Sequence, residues 1–334
     1  MDRRRRAARS RMRVYPTRTD TPQTAHGPAY YRLKLGRRSS APEWWPSWLL
    51  LGLLRLIAFL PLRVSRVLGA ILGLFIYMLN AKRRHIARVN LGLCFPEKSA
   101  RARARLLRRH FLIKGQSYVD LGFLTWASER RIRHHTHFHG LEQLHAAQER
   151  GKNVILLASH CLGMNFAASV LAHQHTEFSM MKIQRNPVVN WLLNKSRMRF
   201  GLKLVARTQG LRPVVRALKQ GLAFYYLPDE DFGPRHSVFA LFFGVPTATL
   251  TTLGRLADLT DAVVIPCFVR LLPRGRGYEV TLKPALADFP KSEIQADAAR
   301  MNRVLEDGIR ASPEQYMWTF KFFKTRPHGA PSPY

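Results

Sequence analysis

Residues 152–166 read KNVILLASHCLGMNF, and this stretch carries the pattern that predicts the fold. Its first part, KNVILLAS, is a continuous apolar run with the length of a strand that is buried on both faces. A helix is predicted directly after it, so His160 lies where a strand ends and a helix starts. Ligand sites in open α/β sheets lie at the carboxyl ends of strands. A lone histidine is more often structural than catalytic, but this position makes His160 the first candidate catalytic residue.

The alternation of strand and helix continues on both sides of this stretch. THFHG predicts a strand before it, and LEQLHAAQERG predicts a helix. After it, the strand candidates are EFSMMKI, LKLVA, LAFYYL, AVVIPCFVRLL and YEVTLKPAL. The helix candidates between and after them are NPVVNWLLNKSRMRFG, LRPVVRALKQG, ATLTTLGRLADLTD and EIQADAARMNRVLEDGIRAS. This order predicts an α/β fold with three layers, α/β/α, around a mainly parallel central sheet.

The N-terminal part of the chain differs from this pattern. Residues 1–40 are rich in Arg, Pro, Thr and Ser and predict a disordered basic arm. Residues 41–81 hold two apolar stretches, each shorter than the roughly 20 residues of a spanning helix. Together they predict a hydrophobic helical hairpin or one interrupted, tilted membrane anchor, and the alternative is a buried helical pair in a soluble core. We expect the catalytic domain over residues 82–325 and a tail over residues 326–334.

The charge is strongly positive. The 334 residues include 54 Lys and Arg against 21 Asp and Glu, which gives a formal net charge of +33. Residues 1–40 hold 12 of the basic and 2 of the acidic residues, so most of the excess lies in the predicted domain. Such a field attracts nucleic acid, anionic membrane lipids or an acidic carrier protein. The chain has no recognisable nucleic-acid-binding module, so the sequence argues against a nucleic-acid partner.

Three consecutive acids form a second group of candidates, in the stretch LPDEDFGPRHSVFALFFGVPTAT. Asp229, Glu230 and Asp231 follow the predicted strand LAFYYL, again at a strand end. One interpretation is a solvated turn, and the other is a carboxylate that orients a base or pairs with an arginine in a cleft. Asn165 follows His160 across the predicted strand-to-helix turn, so we expect the two side chains to meet.

Cationic candidates lie in KIQRNPVVNWLLNKSRMRFG. Arg185 and Asn186 follow a predicted strand end, and Arg197 lies further along the next helix. Arginine at such a place can bind phosphate with two parallel hydrogen bonds, although many arginines are simply exposed. The three cysteines are scattered and show no metal-ligand spacing, which fits a reducing compartment. No nucleotide-binding or metal-binding motif occurs, so the sequence predicts neither a metal nor a cofactor.

The segments above resemble the late acyltransferases of lipid A biosynthesis, the lauroyl and myristoyl transferases of the lysophospholipid-acyltransferase superfamily. The resemblance runs from about Trp44 to Phe323 and is strongest in RVNLGLCFPEKS, LASHCLGMN, RNPVVNWLL and PDEDFGPRHSVFALFFGVPTATLT. It implies a membrane-anchored α/β/α enzyme of the bacterial inner membrane with its catalytic domain on the cytoplasmic side. It also implies an acyl-carrier-protein thioester as donor and a hydroxyl of a lipid A precursor as acceptor.

The resemblance implies roles for several residues. Arg185 matches an arginine that contacts the anionic groups of the acceptor, and Asp229 and Asp231 match the family's Pro-Asp-x-Asp block. Gly244 and Pro246 match a block that shapes the acyl or acceptor site.

The family's His-x4-acid motif is only half present. The motif histidine is the general base, and His160 fills that place, but Asn165 stands where the acid is expected. An amide can hold the imidazole ring, yet it cannot stabilise the imidazolium by charge. Two compensations are predicted: Asp229 or Asp231 faces His160 instead, or the thioester donor needs less base assistance. The alternative function is a catalytically silent or altered-specificity lipid-binding relative.

Overall fold

The computed structural model describes residues 29–291, 293–327 and 329–334. Its α-helices are α1 (Trp45–Ile57), α2 (Leu62–Leu79), α3 (Ala81–Cys94), α4 (Ala100–Trp126), α5 (Glu129–His134), α6 (Leu141–Glu149), α7 (Met164–Leu171), α8 (Pro187–Met198), α9 (Arg212–Lys219), α10 (Thr252–Thr260) and α11 (Ile294–Ala311). Its strands are β1 (Thr136–His139), β2 (Asn153–Leu157), β3 (Glu177–Met181), β4 (Lys203–Ala206), β5 (Ala223–Tyr226), β6 (Ser237–Phe242), β7 (Val245–Leu250), β8 (Ala262–Leu272) and β9 (Gly277–Leu282).

Seven of these strands form one sheet in the order β1-β9-β8-β2-β5-β3-β4. All neighbouring strands pair in parallel except β8 and β9, which pair antiparallel. The prediction of a mainly parallel α/β sheet is therefore confirmed. β2 and β5 are neighbours, with Leu157 opposite Tyr226 at their carboxyl ends. The residues that follow these two strands consequently leave the sheet side by side.

Helices cover both faces of the sheet. Successive side chains of a strand point to opposite faces, so each face has its own set of packing contacts. On one face, Ile155 and Leu157 pack with residues of α3, α4, α9, α10 and α11. On the other face, Val154 and Leu156 pack with residues of α5, α6 and α7. Burial on both faces explains why residues 154–157 of β2 are all apolar instead of alternating with polar residues.

The N-terminal apolar segment forms two helices, α1 and α2, which both pack on α4. Gly69 and Gly73 of α2 lie so close to Gly115 of α4 that a Cβ at Gly115 would come 2.1 Å from the Gly69 carbonyl oxygen. Among the described residues, α2 alone is long and apolar enough to cross a membrane, with a mean hydropathy of 1.7. One such helix is weak evidence for an anchor, so membrane contact remains a prediction.

One predicted helix begins later than expected. The stretch ATLTTLGRLADLTD was predicted to be helical throughout, but residues 248–250 belong to β7, which pairs antiparallel with β6. The helix α10 begins only at Thr252. The physical reason is that β-branched Thr and Val residues favour a strand when a partner strand is available. The left-handed conformations of Phe243 and Gly244 (φ 51° and 74°) form the turn that brings this partner into register.

Both ends of the described chain pack against the domain. Most of the predicted disordered arm, residues 1–28, lies outside the described residues. In its described last part, the Tyr31 N–H donates to the Leu204 carbonyl oxygen at 2.7 Å. The predicted tail folds back as well: the Tyr334 hydroxyl accepts from the Phe323 N–H at 3.1 Å and donates to Asn90.

Candidate active site

His160 and Asp229 meet at the carboxyl edge of the sheet, because they follow the neighbouring strands β2 and β5. His160 Nδ1 lies 2.6 Å from Asp229 Oδ1, and the His160 backbone N–H donates to Asp229 Oδ2 at 2.8 Å. The Asp229 side chain is 3% exposed and the His160 side chain 16% exposed. The carboxylate is therefore enclosed, while the imidazole remains accessible from one side.

Tyr316 completes the support of the carboxylate. Its hydroxyl donates to Asp229 Oδ2 at 2.9 Å. Its segment lies beside the loop that carries His160, since Cys161 and Tyr316 form an antiparallel bridge and the Met317 N–H donates to the His160 carbonyl oxygen at 2.9 Å. Asp229 thus accepts hydrogen bonds at both oxygens, and its orientation toward the His160 ring is fixed.

The charge of this pair follows from its contacts. Burial alone would raise the pKa of Asp229, but the His160 charge and the hydrogen bonds from His160 and Tyr316 lower it below its usual value. Burial alone would lower the pKa of His160, but the charge and hydrogen bond of Asp229 outweigh burial and raise it. Arg197 acts in the opposite direction on His160. The directions agree with an ionised Asp229 that stabilises a protonated His160.

The second ring nitrogen of His160 is free to accept a proton. A carboxylate can only accept a hydrogen bond, so Nδ1 carries the proton in the neutral ring and Nε2 carries the lone pair. Nε2 has no hydrogen bond to any residue that the structure describes, and the Phe320 ring lies 5.5 Å from the imidazole ring. This is the tautomer that a general base requires.

Cys161 follows His160 directly, and its environment does not favour a nucleophilic thiolate. Its side chain is buried, and burial raises the pKa of its thiol to about 12. A thiol with such a pKa holds almost no thiolate at neutral pH, and the thiolate is the reactive form. The geometry therefore favours direct transfer to an acceptor over a covalent cysteine intermediate.

The expected contact between Asn165 and His160 is wrong. Asn165 lies in the first turn of α7, and its Oδ1 accepts a hydrogen bond from Arg197 Nε of α8 at 2.7 Å. The ring of His160 is held instead by Asp229, which is one of the two predicted compensations. The physical reason is that β5 brings Asp229 alongside the His160 loop, whereas the α7 turn directs Asn165 toward α8.

The Asn165 substitution leaves Arg197 without a compensating carboxylate among the described residues. Burial lowers the pKa of Arg197 to about 10, and Tyr225 opposes this shift. The guanidinium is still protonated at neutral pH. Lys114 is another buried cation: it is 7% exposed, and its Nζ donates to Thr319 Oγ1. The charges that act on His160 are mixed, because burial and Arg197 lower its pKa while Asp229 and Glu230 raise it.

Two predicted site residues, Asp231 and Asn186, make hydrogen bonds that stabilise the fold. Asp231 accepts hydrogen bonds from the Gly233 N–H and from both the N–H and hydroxyl of Thr325, so it fixes the C-terminal segment and does not face His160. Asn186 caps α8 through the Val188 and Val189 N–H groups, and its amide donates to Ser47 of α1 at 2.7 Å. Both side chains are committed and cannot serve as direct ligands for a substrate without losing these bonds.

The remaining predicted residues lie further out. Arg185 is exposed in the loop between β3 and α8, with no ion pair to a described residue. Gly244 lies in the turn of the β6–β7 hairpin, and Pro246 is the second residue of its return strand. This hairpin is a separate two-stranded sheet. Its inner residue Phe242 packs on Tyr316, which links it to the catalytic pair through one intermediate side chain.

The site also holds residues that the sequence did not predict. Tyr316 and Phe320 lie beyond the last helix, far from His160 in sequence, and no motif marks them. The one available signal was the dense aromatic run YMWTFKFF at residues 316–323, which is unusual for a chain terminus. No group of three or more His, Cys, Asp or Glu residues suited to a metal ion occurs in the described parts of the chain.

Comparisons with known proteins show which proteins this chain is similar to. Residues 33–325 match the family model described as bacterial lipid A biosynthesis acyltransferase. A lipid A biosynthesis acyltransferase of Haemophilus influenzae is 36% identical over 291 residues, covering 86% of this chain and 90% of the relative. The lipid A biosynthesis lauroyltransferase of Escherichia coli is 34% identical over 294 residues, covering 88% of this chain and 96% of the relative.

Among solved structures, the 1-acyl-sn-glycerophosphate acyltransferase of Thermotoga maritima covers 76% of this chain and 99% of its own, with a TM-score of 0.37 and 17% identity. That overlap is too loose to bear on function.

Proposed function

The chain belongs to the bacterial lipid A biosynthesis acyltransferase family, and we propose that it transfers a fatty acyl chain from an acyl-carrier-protein thioester to a hydroxyl of a lipid A precursor. The observation that carries this proposal is the His160–Asp229–Tyr316 chain of hydrogen bonds, which leaves His160 Nε2 unpartnered among the described residues. The same observation supports an active enzyme over a catalytically silent lipid-binding relative, because Asp229 supplies the charge that Asn165 lacks.

The proposed reaction needs one base and no covalent enzyme intermediate. His160 Nε2 removes the proton of the acceptor hydroxyl as its oxygen attacks the thioester carbonyl carbon. Asp229 stabilises the imidazolium that forms. The carbon–sulfur bond then breaks, the ester forms, and the proton passes from His160 to the departing thiolate. A thiolate leaves readily, since the conjugate thiol has a pKa of about 8.5.

Cationic side chains suit both proposed substrates. Arg197 acts on His160 and has no compensating carboxylate among the described residues, so it can attract a phosphate of a lipid A precursor. Arg185 is exposed and available for a phosphate further out. An acidic carrier protein would be drawn by the general excess of +33.

We place the enzyme at the bacterial inner membrane with its catalytic domain on the cytoplasmic side. The exposed apolar side chains of α1 and α2 support this location, among them Leu49 (78% exposed) and Leu79 (82% exposed). The basic residues of α3 and α4 would lie on anionic headgroups, where each contributes about 1 kcal/mol.

The test is mass spectrometry of lipid A from cells with the gene, without it, and with His160→Ala. We expect the wild-type chain to add one acyl chain, and we expect His160→Ala to behave like the deletion although the protein accumulates in the membrane to the same level. Retained acylation in His160→Ala would remove His160 as the base. An unchanged lipid A in cells with the wild-type gene would favour the lipid-binding alternative.

A further inference from the structure

A groove outside the catalytic site lies between α2, α4 and the turn that connects β8 to β9. Its main part has a volume of about 1080 Å³, and an adjoining part has about 480 Å³. The two parts share Arg63, Gly275 and Arg276. None of the residues that line them belongs to the hydrogen-bonded group around His160.

The groove has one cationic end. Arg63, Arg274 and Arg276 meet there, and no carboxylate lies within ion-pair distance of these three side chains in residues 29–291, 293–327 and 329–334. The adjoining part adds Arg131 and three histidines, His134, His135 and His137. No Asp or Glu lines either part of the groove. Exposed cations that share one groove without an adjacent carboxylate favour a bound anion.

A close backbone contact holds the arginines of the cationic end in place. Gly275 lies directly on the backbone of α2, since a Cβ at this position would come 2.9 Å from the Arg63 nitrogen and Cα. Arg274 adopts a left-handed conformation with φ 56°. The turn is therefore fixed on the first turn of α2, which holds its two arginines beside Arg63.

Arg66 is a buried cation at the same place. It is 5% exposed, pairs with Asp120 at 3.3 Å and lies over the Tyr278 ring at 4.9 Å. Nη2 is the atom that faces Asp120, while Nε makes no hydrogen bond to any described residue. A buried guanidinium with an unpaired Nε can donate to an anion in the groove, since an unpaired buried donor is costly.

The opposite end of the groove is apolar. Val67, Ile71 and Leu74 follow one another along α2 and are 60%, 48% and 41% exposed. From Arg63 to Leu74 the helix rises roughly 16 Å at 1.5 Å per residue. This is close to half the roughly 30 Å hydrocarbon core of a bilayer, which is the length that one lipid chain occupies.

We propose that this groove binds one anionic phospholipid of the bilayer. Its phosphate would lie among Arg63, Arg274 and Arg276, and one acyl chain would lie along the exposed apolar residues of α2. A phospholipid fits better than a free phosphate because half of the lining is apolar. Phospholipid would also be next to this groove in a membrane. Of the described helices, α2 is the one that is long and apolar enough to enter a bilayer.

The experiment measures lipid binding to the full chain in a neutral detergent by native mass spectrometry. Three probes separate the two ends of the site: phosphatidylglycerol, diacylglycerol with the same chains, and glycerol phosphate. We expect one phosphatidylglycerol to bind, and we expect the other two probes to bind at least about tenfold more weakly. Equal binding of diacylglycerol would overturn the role of the arginines, and equal binding of glycerol phosphate would overturn the lipid assignment.

A double variant and a matched control test the location. Arg274→Asn with Arg276→Gln removes two groove cations, and asparagine tolerates the left-handed conformation at position 274. Lys219→Gln with Arg303→Gln removes two exposed cations from α9 and α11. We expect about a tenfold loss of phosphatidylglycerol binding in the groove variant only. Equal losses in both variants, or no loss in either, would overturn the proposal.

Photo-crosslinking of the wild-type chain keeps the proposal testable if the variant folds poorly. A phosphatidylglycerol with a photoreactive chain should label the α2 peptide, and labelling confined to other parts of the chain would overturn the proposal. The proposal would also be overturned if the groove variant kept its phospholipid but raised the KM for the lipid A precursor, because the groove would then belong to the acceptor.

Discussion

At the scale of single residues, we propose that Asp229, and not Asn165, supplies the carboxylate charge that supports His160. We expect Asp229→Asn to lower the turnover of acyl transfer by about 10⁴, the loss that the equivalent change causes in a serine protease. The amide carries no negative charge to stabilise the imidazolium. It can also hydrogen-bond the tautomer in which Nε2, not Nδ1, carries the proton. The measurement is turnover with purified enzyme, acyl-carrier-protein thioester and lipid A precursor.

Tyr316→Phe is a milder variant with which Asp229→Asn can be compared. It removes one of the hydrogen bonds to Asp229 but leaves the carboxylate in place. We expect a loss well below that of Asp229→Asn. Turnover in Asp229→Asn within tenfold of wild type would contradict the role that we assign to Asp229.

Asn165 affects the pKa of His160 indirectly, because it is a neutral partner of Arg197. His160 must be neutral to act as a base, and its pKa is raised, so kcat/KM should fall as the pH drops through a value above the ordinary 6.5 of histidine. Asn165→Asp would neutralise Arg197, whose charge now lowers the pKa of His160. We expect this variant to stay active and its acidic limb to move to higher pH.

The pH profile of kcat/KM measures this shift, with Asn165→Ala as the control that adds no charge. An unchanged limb in Asn165→Asp would mean that Arg197 does not act on His160. Complete loss of activity would mean that the Asn165 amide has a required role of its own.

The sequence marked His160 and Asp229 as candidates because strand ends can be recognised in a sequence: each residue follows an apolar run. It did not find Tyr316, because a contact between distant segments leaves no local pattern. It also paired His160 with Asn165 from their closeness along the chain, whereas the direction of each side chain depends on the packing of α7 against α8.

At the scale of elements, the strands of the main sheet could be predicted from their apolar runs, but their order could not. Residues 248–250 of β7 were predicted as helix, because the partner strand β6 was not recognised. The pairing of α2 with α4 was also invisible in the sequence. It depends on Gly69, Gly73 and Gly115, which are ordinary glycines until the two backbones approach.

This helix crossing can be tested directly. Gly115→Ala would place a Cβ 2.1 Å from the Gly69 carbonyl oxygen and 2.2 Å from the Gly73 nitrogen. Backbone atoms cannot give way as side chains do, so α2 must move away from α4. We expect the free energy of unfolding to fall by about 2 kcal/mol or more, the upper range for an overpacked core. Thermal unfolding in a neutral detergent measures the change.

Gly92→Ala is the matched control, because Gly92 also lies inside a helix but a Cβ added there would have no neighbouring atom within 4 Å. Here alanine should raise stability by up to about 1 kcal/mol through helix propensity alone. Similar effects of the two substitutions would show that the α2–α4 contact is not tight.

At the scale of the whole molecule, attachment to a membrane by charge and attachment by apolar side chains predict different responses to salt. A chain held only by its charge of +33 would leave anionic vesicles in 1 M salt, where the Debye length is about 3 Å. A chain held by apolar side chains would stay. Leu56 and Phe59, at the end of α1, are 69% and 63% exposed, and burying each in lipid would contribute roughly 1.5–3 kcal/mol.

We therefore expect the wild-type chain to float with vesicles in 1 M salt, and we expect Leu56→Glu with Phe59→Glu to reduce the bound fraction at least about tenfold. Leu241→Glu with Leu259→Glu is the matched control, since both residues are 57% exposed but lie on β6 and α10. Flotation assays at low and high salt measure the bound fraction. Release of the wild-type chain in 1 M salt, or equal losses in the two variants, would assign the membrane attachment to charge and leave α1 and α2 as surface helices of the domain.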